Sequence, residues 1–443
     1  MKLFPWLLTP ILALLALAPG RAATLDRVLS ETLKNNPRIL QAKAAVEGAA
    51  GQRIILRSLG YPQVLVGSVA GDQGGRRSQS SSNQPFILGY GIFSQPLFQA
   101  GIPASIRRGD LTILIAQQQL NLAVTEELEK ARLAFYRALY NRELQSLGEA
   151  QRERLDKNVA GEQSRYEAGQ AERGALTFVT LLARELDPEI AAAQNAYGAA
   201  LLELAQSMGN GLGPKATLPS PEGKLEFRPV NLHWNDEVSR ALRDRVDLKL
   251  ARLVVRAARE DQRIIAAKYY PEVKAVGAGV AIPVTGIYHD TGGSPQATDS
   301  TVANEIGIGA SYSWRVIDNG AVGGAVRQQR AAREANEIEL QKLEASVPRE
   351  LAHLQNQLQA IAARYHSLVA AADVADKNVQ SIEENRAQGL ASVLDFRRAE
   401  NDLLITRRGI LAAIYQEQLA LAEWDRATGR YFQFSDEMPT STE

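Results

Sequence analysis

Cysteine is absent from the 443 residues, which removes thiol catalysis, any disulfide framework and the acylated cysteine of a lipoprotein leader. Excess charge is absent as well: 50 Lys and Arg stand against 50 Asp and Glu. A nucleic-acid partner needs a concentrated basic face, so that class is excluded. Histidine is scarce, and His233, His289, His353 and His366 lack ligand companions at metal-binding spacing, so no metal is expected. Ser, His and Asp occur without a nucleophile elbow or a P-loop, and Gly89-Tyr90-Gly91 and Gly307-Ile308-Gly309 read as strand glycines rather than phosphate loops. No catalytic residue, enzyme activity or cofactor is expected.

Long apolar runs are missing with one exception, Leu3 to Ala18. Lys2 precedes it, Pro19-Gly20 breaks it, and the small residues Gly20 and Ala22 stand at minus three and minus one of a secretory leader, with cleavage expected after Ala22 or Ala23. At about 16 residues the run is short of the roughly 20 that span a bilayer, which disfavours an uncleaved membrane helix. Cleavage after Ala22 takes away Lys2, Arg21 and no acid, leaving 48 basic against 50 acidic residues.

What is present is a pattern written twice. Leu25 to Leu59 reads as a helical stretch with Asn36-Pro37 near its start, and Asn235 to Lys268 is its counterpart. Gln52-Arg53-Ile54-Ile55 matches Gln262-Arg263-Ile264-Ile265, and Tyr61-Pro62 matches Tyr270-Pro271. Each proline ends its helix because it has no N–H for the ladder. After Pro62 comes an apolar segment, the polar run GGRRSQSSSNQ and then PFILGYGIFSQPLF; Pro271 opens the same order. Arg76-Arg77 is expected at an exposed loop tip, touching lipopolysaccharide phosphates in one reading.

Ile306, Ile308, Ala310, Tyr312, Trp314 and Val316 alternate with Glu305, Gly307, Gly309, Ser311, Ser313 and Arg315. Phe86, Leu88, Tyr90 and Ile92 form a similar apolar face. Period-two alternation over ten residues with terminal aromatics predicts membrane barrel strands; an ordinary sheet on a soluble core has the same period. Four strands cannot close a barrel. In a bilayer an unpaired edge costs several kcal/mol per group, so membrane strands require several copies of the chain in one barrel.

Long helical patterns follow Leu97 to Gly101 and Val316 to Gly320. Leu340, Leu343, Val347, Leu351, Leu354, Leu358, Ile361, Tyr365, Leu368 and Ala372 step by threes and fours, and a helix over Gly324 to Gln388 would run roughly 95 Å. The first-copy returning seam holds Val179, Ala183, Leu186, Ile190 and Ala193, with Pro188 expected to kink it and Pro348 expected to disturb the second-copy helix. Each hairpin turns at a glycine, Gly169 in the first copy and Gly389 in the second. Ser392 with Asp395 three residues on has capping-box spacing. The expected organisation is a leader over residues 1–22, a first repeat over 23–208 (strands 62–98, tip near 169), a linker over 209–230, a second repeat over 231–429 (strands 271–317, tip near 389) and a polar tail over 430–443.

In its order and duplication the chain resembles the TolC-like outer-membrane efflux family, over nearly the whole mature length. The resemblance implies a mainly α protein with membrane β: tandem coiled-coil hairpins forming a periplasmic tunnel, and four strands per chain in a shared barrel of a homotrimer. It implies an outer-membrane location, contact with outer-membrane lipid, and a passive exit duct for efflux or type I secretion, fed by an inner-membrane transporter through a periplasmic adaptor. It places Arg165, Gly169, Arg386, Gly389, Leu390, Ser392 and Asp395 at the adaptor-facing tip, with Asp395 as a possible aperture charge or as a cap alone. The first tip departs from the family pattern at Gln170, Glu172 and Ala175, and Arg398 stands where some members carry a carboxylate. A trimeric coiled-coil adhesin with a barrel anchor is the alternative, but it expects one C-terminal block of strands. A soluble coiled-coil adaptor would need the alternating strands in a soluble domain.

Overall fold

The structure, a computed structural model, describes residues 22–77, 80–210, 218–230, 233–283, 287–289, 296–298 and 302–430. The leader up to residue 21, the tail from Tyr431 and most of the second polar loop lie outside the described residues.

Strand β1 (Ala22–Ala23) leads into α1 (Leu25–Asn35) and α2 (Pro37–Ser58), then β2 (Gln63–Arg77), β3 (Ser80–Phe98), α3 (Ile102–Glu167), α4 (Arg173–Arg184) and α5 (Asp187–Ser207). After β4 (Ser220–Pro221) the order returns as α6 (Trp234–Asp244), α7 (Val246–Ala266), β5 (Glu272–Pro283), the short β6 (Ile287–His289) and β7 (Gln296–Thr298), β8 (Val302–Ser313), α8 (Ala321–Ala387) and α9 (Val393–Ala427). No helix among the described residues is long and apolar enough to cross a membrane.

The chain divides into two compact units. One takes in residues up to Leu40, Val124–His233 and Leu351–Arg426. Its helices are α1, α4, α5, α9 and the later parts of α3 and α8. Alanine at many seam positions lets these helices approach closely; Ala131, Ala134, Ala183, Ala200, Ala399 and Ala413 are all buried. Larger side chains fill what is left. Val28, Phe135, Leu139, Leu204 and Met208 form one cluster, and Leu155, Leu186, Val379, Phe396 and Leu403 another. Each such side chain contributes roughly 1.5–3 kcal/mol by leaving water.

The other unit holds Gln41–Ala123, Trp234–Glu350 and the chain from Ala427. Its helices are stitched by arginine–carboxylate pairs: Arg53 to Asp110 at 2.7 Å, Arg108 to Asp261 at 2.8 Å and Arg252 to Glu344 at 2.9 Å. Its sheet has the order β2-β3-β5-β8, antiparallel throughout, so the central pair β3·β5 joins the two copies of the repeat. β2 and β8 are its edges.

Register decides what each face carries. Val66, Gly91, Gly279 and Ile306 lie in one row across the four strands, and Val64, Phe93, Gly277 and Ile308 in the next. Ala275 with Ala310 and Val273 with Tyr312 extend this apolar face, where Ile306 and Ile308 are 80 % and 88 % exposed. The opposite face holds Glu305, Ser311, Ser313, Lys274, Glu272 and Ser94.

Several sequence expectations are corrected here. Leu88, Tyr90 and Ile92 share one face of β3, as their alternation predicts, and it is the face opposite Ile306 and Ile308: Tyr90 pairs with Val280, which pairs with Glu305. The side chain of Phe86 lies outside the described residues. Half-buried Tyr90 lies over Gly67, where an added Cβ would meet its ring at 2.5 Å, so the alternation in β3 reflects packing on the other side of the sheet. The polar run after Gln73 is strand rather than loop on both sides of residues 78–79, with Arg77 opposite Ser80; the side chains of Arg76 and Arg77 are outside the described residues. At Pro188 the returning helix is interrupted, as expected, with Glu185 and Leu186 still in helical conformation between α4 and α5. The helix breaks after Arg184 and restarts at Asp187 with the proline in its first turn, where its missing N–H costs nothing. Pro348 breaks nothing, and α8 runs 67 residues through it.

The first helical stretch also breaks, at Asn36. Its side-chain oxygen caps α2 by accepting from the N–H groups of Arg38 at 2.9 Å and Ile39 at 3.4 Å. Its amide nitrogen donates to Glu127 and to the Ser207 carbonyl, both at 3.0 Å. Gly209, two residues beyond Ser207, ends α5 at φ +72°, and a Cβ there would stand 2.3 Å from the Asn35 carbonyl oxygen. Gly209→Ala should therefore lower the melting temperature by several degrees, equivalent to about 1–3 kcal/mol. Gly48→Ala, in the open interior of α2 with nothing within 4 Å, should raise stability by about 0.5–1 kcal/mol. Thermal unfolding of the two variants checks both signs.

Candidate functional site: the paired hairpin tips

The α3–α4 and α8–α9 turns share one backbone solution. At the first, Gln170 N–H donates to the Arg165 carbonyl at 2.8 Å and Gly169 N–H to Tyr166 at 3.0 Å. At the second, Leu390 N–H donates to Asn385 at 2.8 Å and Gly389 N–H to Arg386 at 3.0 Å. Both are Schellman closures with glycine in the left-handed position, φ +71° at Gly169 and +78° at Gly389.

The helices that leave the tips start differently. At α9 the Ser392 hydroxyl accepts from the Asp395 N–H at 3.1 Å. The Asp395 carboxylate accepts from the Ser392 N–H at 3.2 Å and from its hydroxyl at 2.6 Å. This is the reciprocal capping box the spacing predicts. The hydroxyl and N–H of Ser392, together with nearby Arg398, hold the Asp395 carboxyl below the usual aspartate range. At α4, Glu172 stands at the cap position and makes no side-chain cap.

Below the tips the two expected arginines meet on one carboxylate that sequence reasoning missed. Glu162, 4 % exposed, pairs with Arg386 of the other hairpin and lies 3.6 Å from Arg165. Arg386 also covers the Phe396 ring, 5.2 Å from its centroid, and Phe396 is fully buried. Arg386 is thus an internal tie between the hairpins. Two turns deeper, Glu400 is 2 % exposed and accepts from Gln151 at 2.5 Å and from Arg154. Arg397 reaches Glu185 at 3.0 Å while lying over Phe178. What stays on the surface is Leu390, 74 % exposed, beside Gly389 and Gln170. Neither Glu162 nor Glu400 belongs to a recognisable motif. The available signal was a carboxylate one heptad before a tip glycine in a seam of small and apolar residues.

No group of three or more His, Cys, Asp or Glu side chains that could hold a metal ion occurs among the described residues.

Removing one partner of a buried ion pair leaves the other charged and unsolvated. Glu162→Ala should lower stability by roughly 3–5 kcal/mol, and adding Arg386→Met should restore part of it; denaturant titration of the single and double variants measures both. The capping box has a pH signature. A depressed carboxyl contributes fully above about pH 4 and loses that contribution as the pH falls through its folded value. Ser392→Ala should weaken this dependence, leaving the part that the residue-392 N–H and Arg398 sustain, and speed amide exchange at Asp395 about fivefold.

Comparison with known proteins agrees with this architecture. Residues 238–430 match the family model described as outer membrane efflux protein. No curated protein sequence matches the chain. Among solved structures, the outer membrane protein VceC of Vibrio cholerae superposes with a TM-score of 0.76 at 17 % identity, over 91 % of this chain and 96 % of that one. The CmeC outer membrane channel of Campylobacter jejuni gives 0.79 at 13 % identity, over 92 % and 86 %. The open state of the MtrE outer membrane channel of Neisseria gonorrhoeae gives 0.74 at 16 % identity, over 91 % and 88 %. The chain thus has the fold of these channels along nearly its whole length, and its second copy carries the outer membrane efflux protein pattern.

Proposed function

We propose that the chain is one subunit of a homotrimeric, passive exit duct in the outer membrane, extending into the periplasm. The observation that carries this is the sheet. One face is apolar across all four strands and exposed, and each edge strand, β2 and β8, is paired on one side only among the described residues. A soluble sheet does not leave Ile306, Ile308 and Val66 at 78 to 88 % exposure, whereas a lipid-facing barrel wall does. Unpaired backbone in hydrocarbon costs several kcal/mol per group, so further copies must close the wall.

The helical hairpins then form the periplasmic tunnel. Their tips face a periplasmic adaptor, which links the duct to an inner-membrane transporter in a tripartite efflux or type I secretion system. Arg165 and Arg386 hold the tips in place through Glu162, while Leu390 and the backbone around Gly169 and Gly389 meet the partner. Asp395 caps α9 and lends its charge to the aperture, offset there by Arg398.

Fractionation tests the first part. The mature protein should appear in the outer membrane as a trimer whose gel mobility changes on heating; a soluble monomer would sink the duct. Leu390→Lys should leave trimer and membrane insertion intact and abolish export. Asp395→Asn and Asp395→Ala should each lower the cation preference of single channels, and an unchanged preference in both reduces Asp395 to a cap.

A further inference from the structure

The first described residues are part of the fold. β1 runs parallel to β4, with Ala22 opposite Ser220 and Ala23 opposite Pro221. The Ala23 carbonyl accepts from the Glu222 N–H at 3.1 Å, and Ala23 is 2 % exposed, set among Val28, Phe135, Leu139 and Met208. Thr24 is spoken for as well, because its hydroxyl and carbonyl accept from Arg27 and Val28 to start α1.

The segment Ala23 fastens crosses several helices of its unit. Arg142 of α3 donates to the Pro221 carbonyl at 2.6 Å and to Gly223 at 2.5 Å. Phe227 stacks on Tyr365 of α8, centroids 4.1 Å apart and planes at 5°. Glu417 of α9 accepts from the Arg228 N–H with both oxygens, at 3.1 and 3.0 Å, and Gln418 donates to the Glu226 carbonyl at 3.0 Å. Residues 220–228 are therefore a strap over α3, α8 and α9, and Ala23 is the plug beneath its first turn.

Two peptide bonds compete as the leader junction. Cutting after Ala23 puts Arg21 at minus three, where leader peptidases require a small residue, and discards a core residue with its strap hydrogen bond. Cutting after Ala22 puts Gly20 and Ala22 at the two selective positions and keeps Ala23. We propose that a leader peptidase hydrolyses the Ala22–Ala23 bond and that Ala23, as the first residue of the mature chain, pins the 220–228 strap. Water adds across that bond; the carboxyl group leaves on Ala22 with the leader, and the new α-amino group stays on Ala23. Because the bond lies in a strand pair against a core residue, cleavage precedes docking of the strap.

Intact-mass measurement and N-terminal sequencing of the protein purified from cell envelopes test the assignment. The chain should begin at Ala23. Ala22→Leu, which fills the minus-one position, should leave the leader attached. Ala23→Leu should be cut at the same bond, because the position after the cut is tolerant, but the bulkier residue cannot enter the core. Limited proteolysis within 220–228 should then be about tenfold faster. A wild-type chain beginning at Thr24 or retaining its leader overturns the junction, and unchanged strap proteolysis in Ala23→Leu overturns the plug. Failure of the duct reads differently: a chain that begins at Ala23 yet is soluble in the periplasm sinks the duct and leaves this junction standing.

Discussion

A carboxylate that has left water must be met by a cation, and in the hairpin unit that requirement joins the two copies of the repeat. Glu162 belongs to the first hairpin and Arg386 to the second; Arg154 belongs to the first and Glu400 to the second. A seam of alanines gives close approach but little shape to fix register, since one small residue replaces another without penalty. Buried pairs do fix it, because sliding either hairpin by one turn would strand a charge. The guanidinium suits this task through its fixed fork of donors and its flat face, used by Arg386 over Phe396 and Arg397 over Phe178.

The near balance of charge follows from the same use. Acids and bases in this chain are largely partners in ladders between helices. Arg426 to Glu129 and Arg132 to Asp425 tie α3 to α9, Arg407 to Asp376 ties α8 to α9, and Arg408 to Glu189 ties α5 to α9. A protein built in this way has little charge to spare for a polyanionic partner.

Much of the fold was legible because it rests on local rules. Gly169 and Gly389 are where glycine alone takes the backbone without strain, and Ser392-x-x-Asp395 is a cap complete within four residues. What failed depended on partners distant in sequence. The face on which Tyr90 lies is set by its pairing with Val280, 190 residues away, and alternation within β3 fits either side. The continuity of α8 through Pro348 shows the same limit, since a proline that interrupts a helix, as Pro188 does, and one that a long helix absorbs look identical in sequence. Glu162 and Glu400 were hard to pick out for a further reason: in a chain where 23 % of the residues carry charge, no motif separates the buried acids from the exposed ones.

The order of the sheet has a consequence for symmetry. β2 and β8 are the two edges, and because four strands alternate in direction, in the proposed duct β2 of one copy would meet β8 of another antiparallel. The joint is heterologous: two different edges meet, one from each copy of the ancestral repeat, so each added subunit presents again the edge that the last one used. Such a contact leaves one edge free at each end of the assembly until a ring closes. It ends when the rotation per subunit has turned the wall through a full circle, so the strand twist and the packing angle of the helices beneath it decide how many chains a closed ring contains.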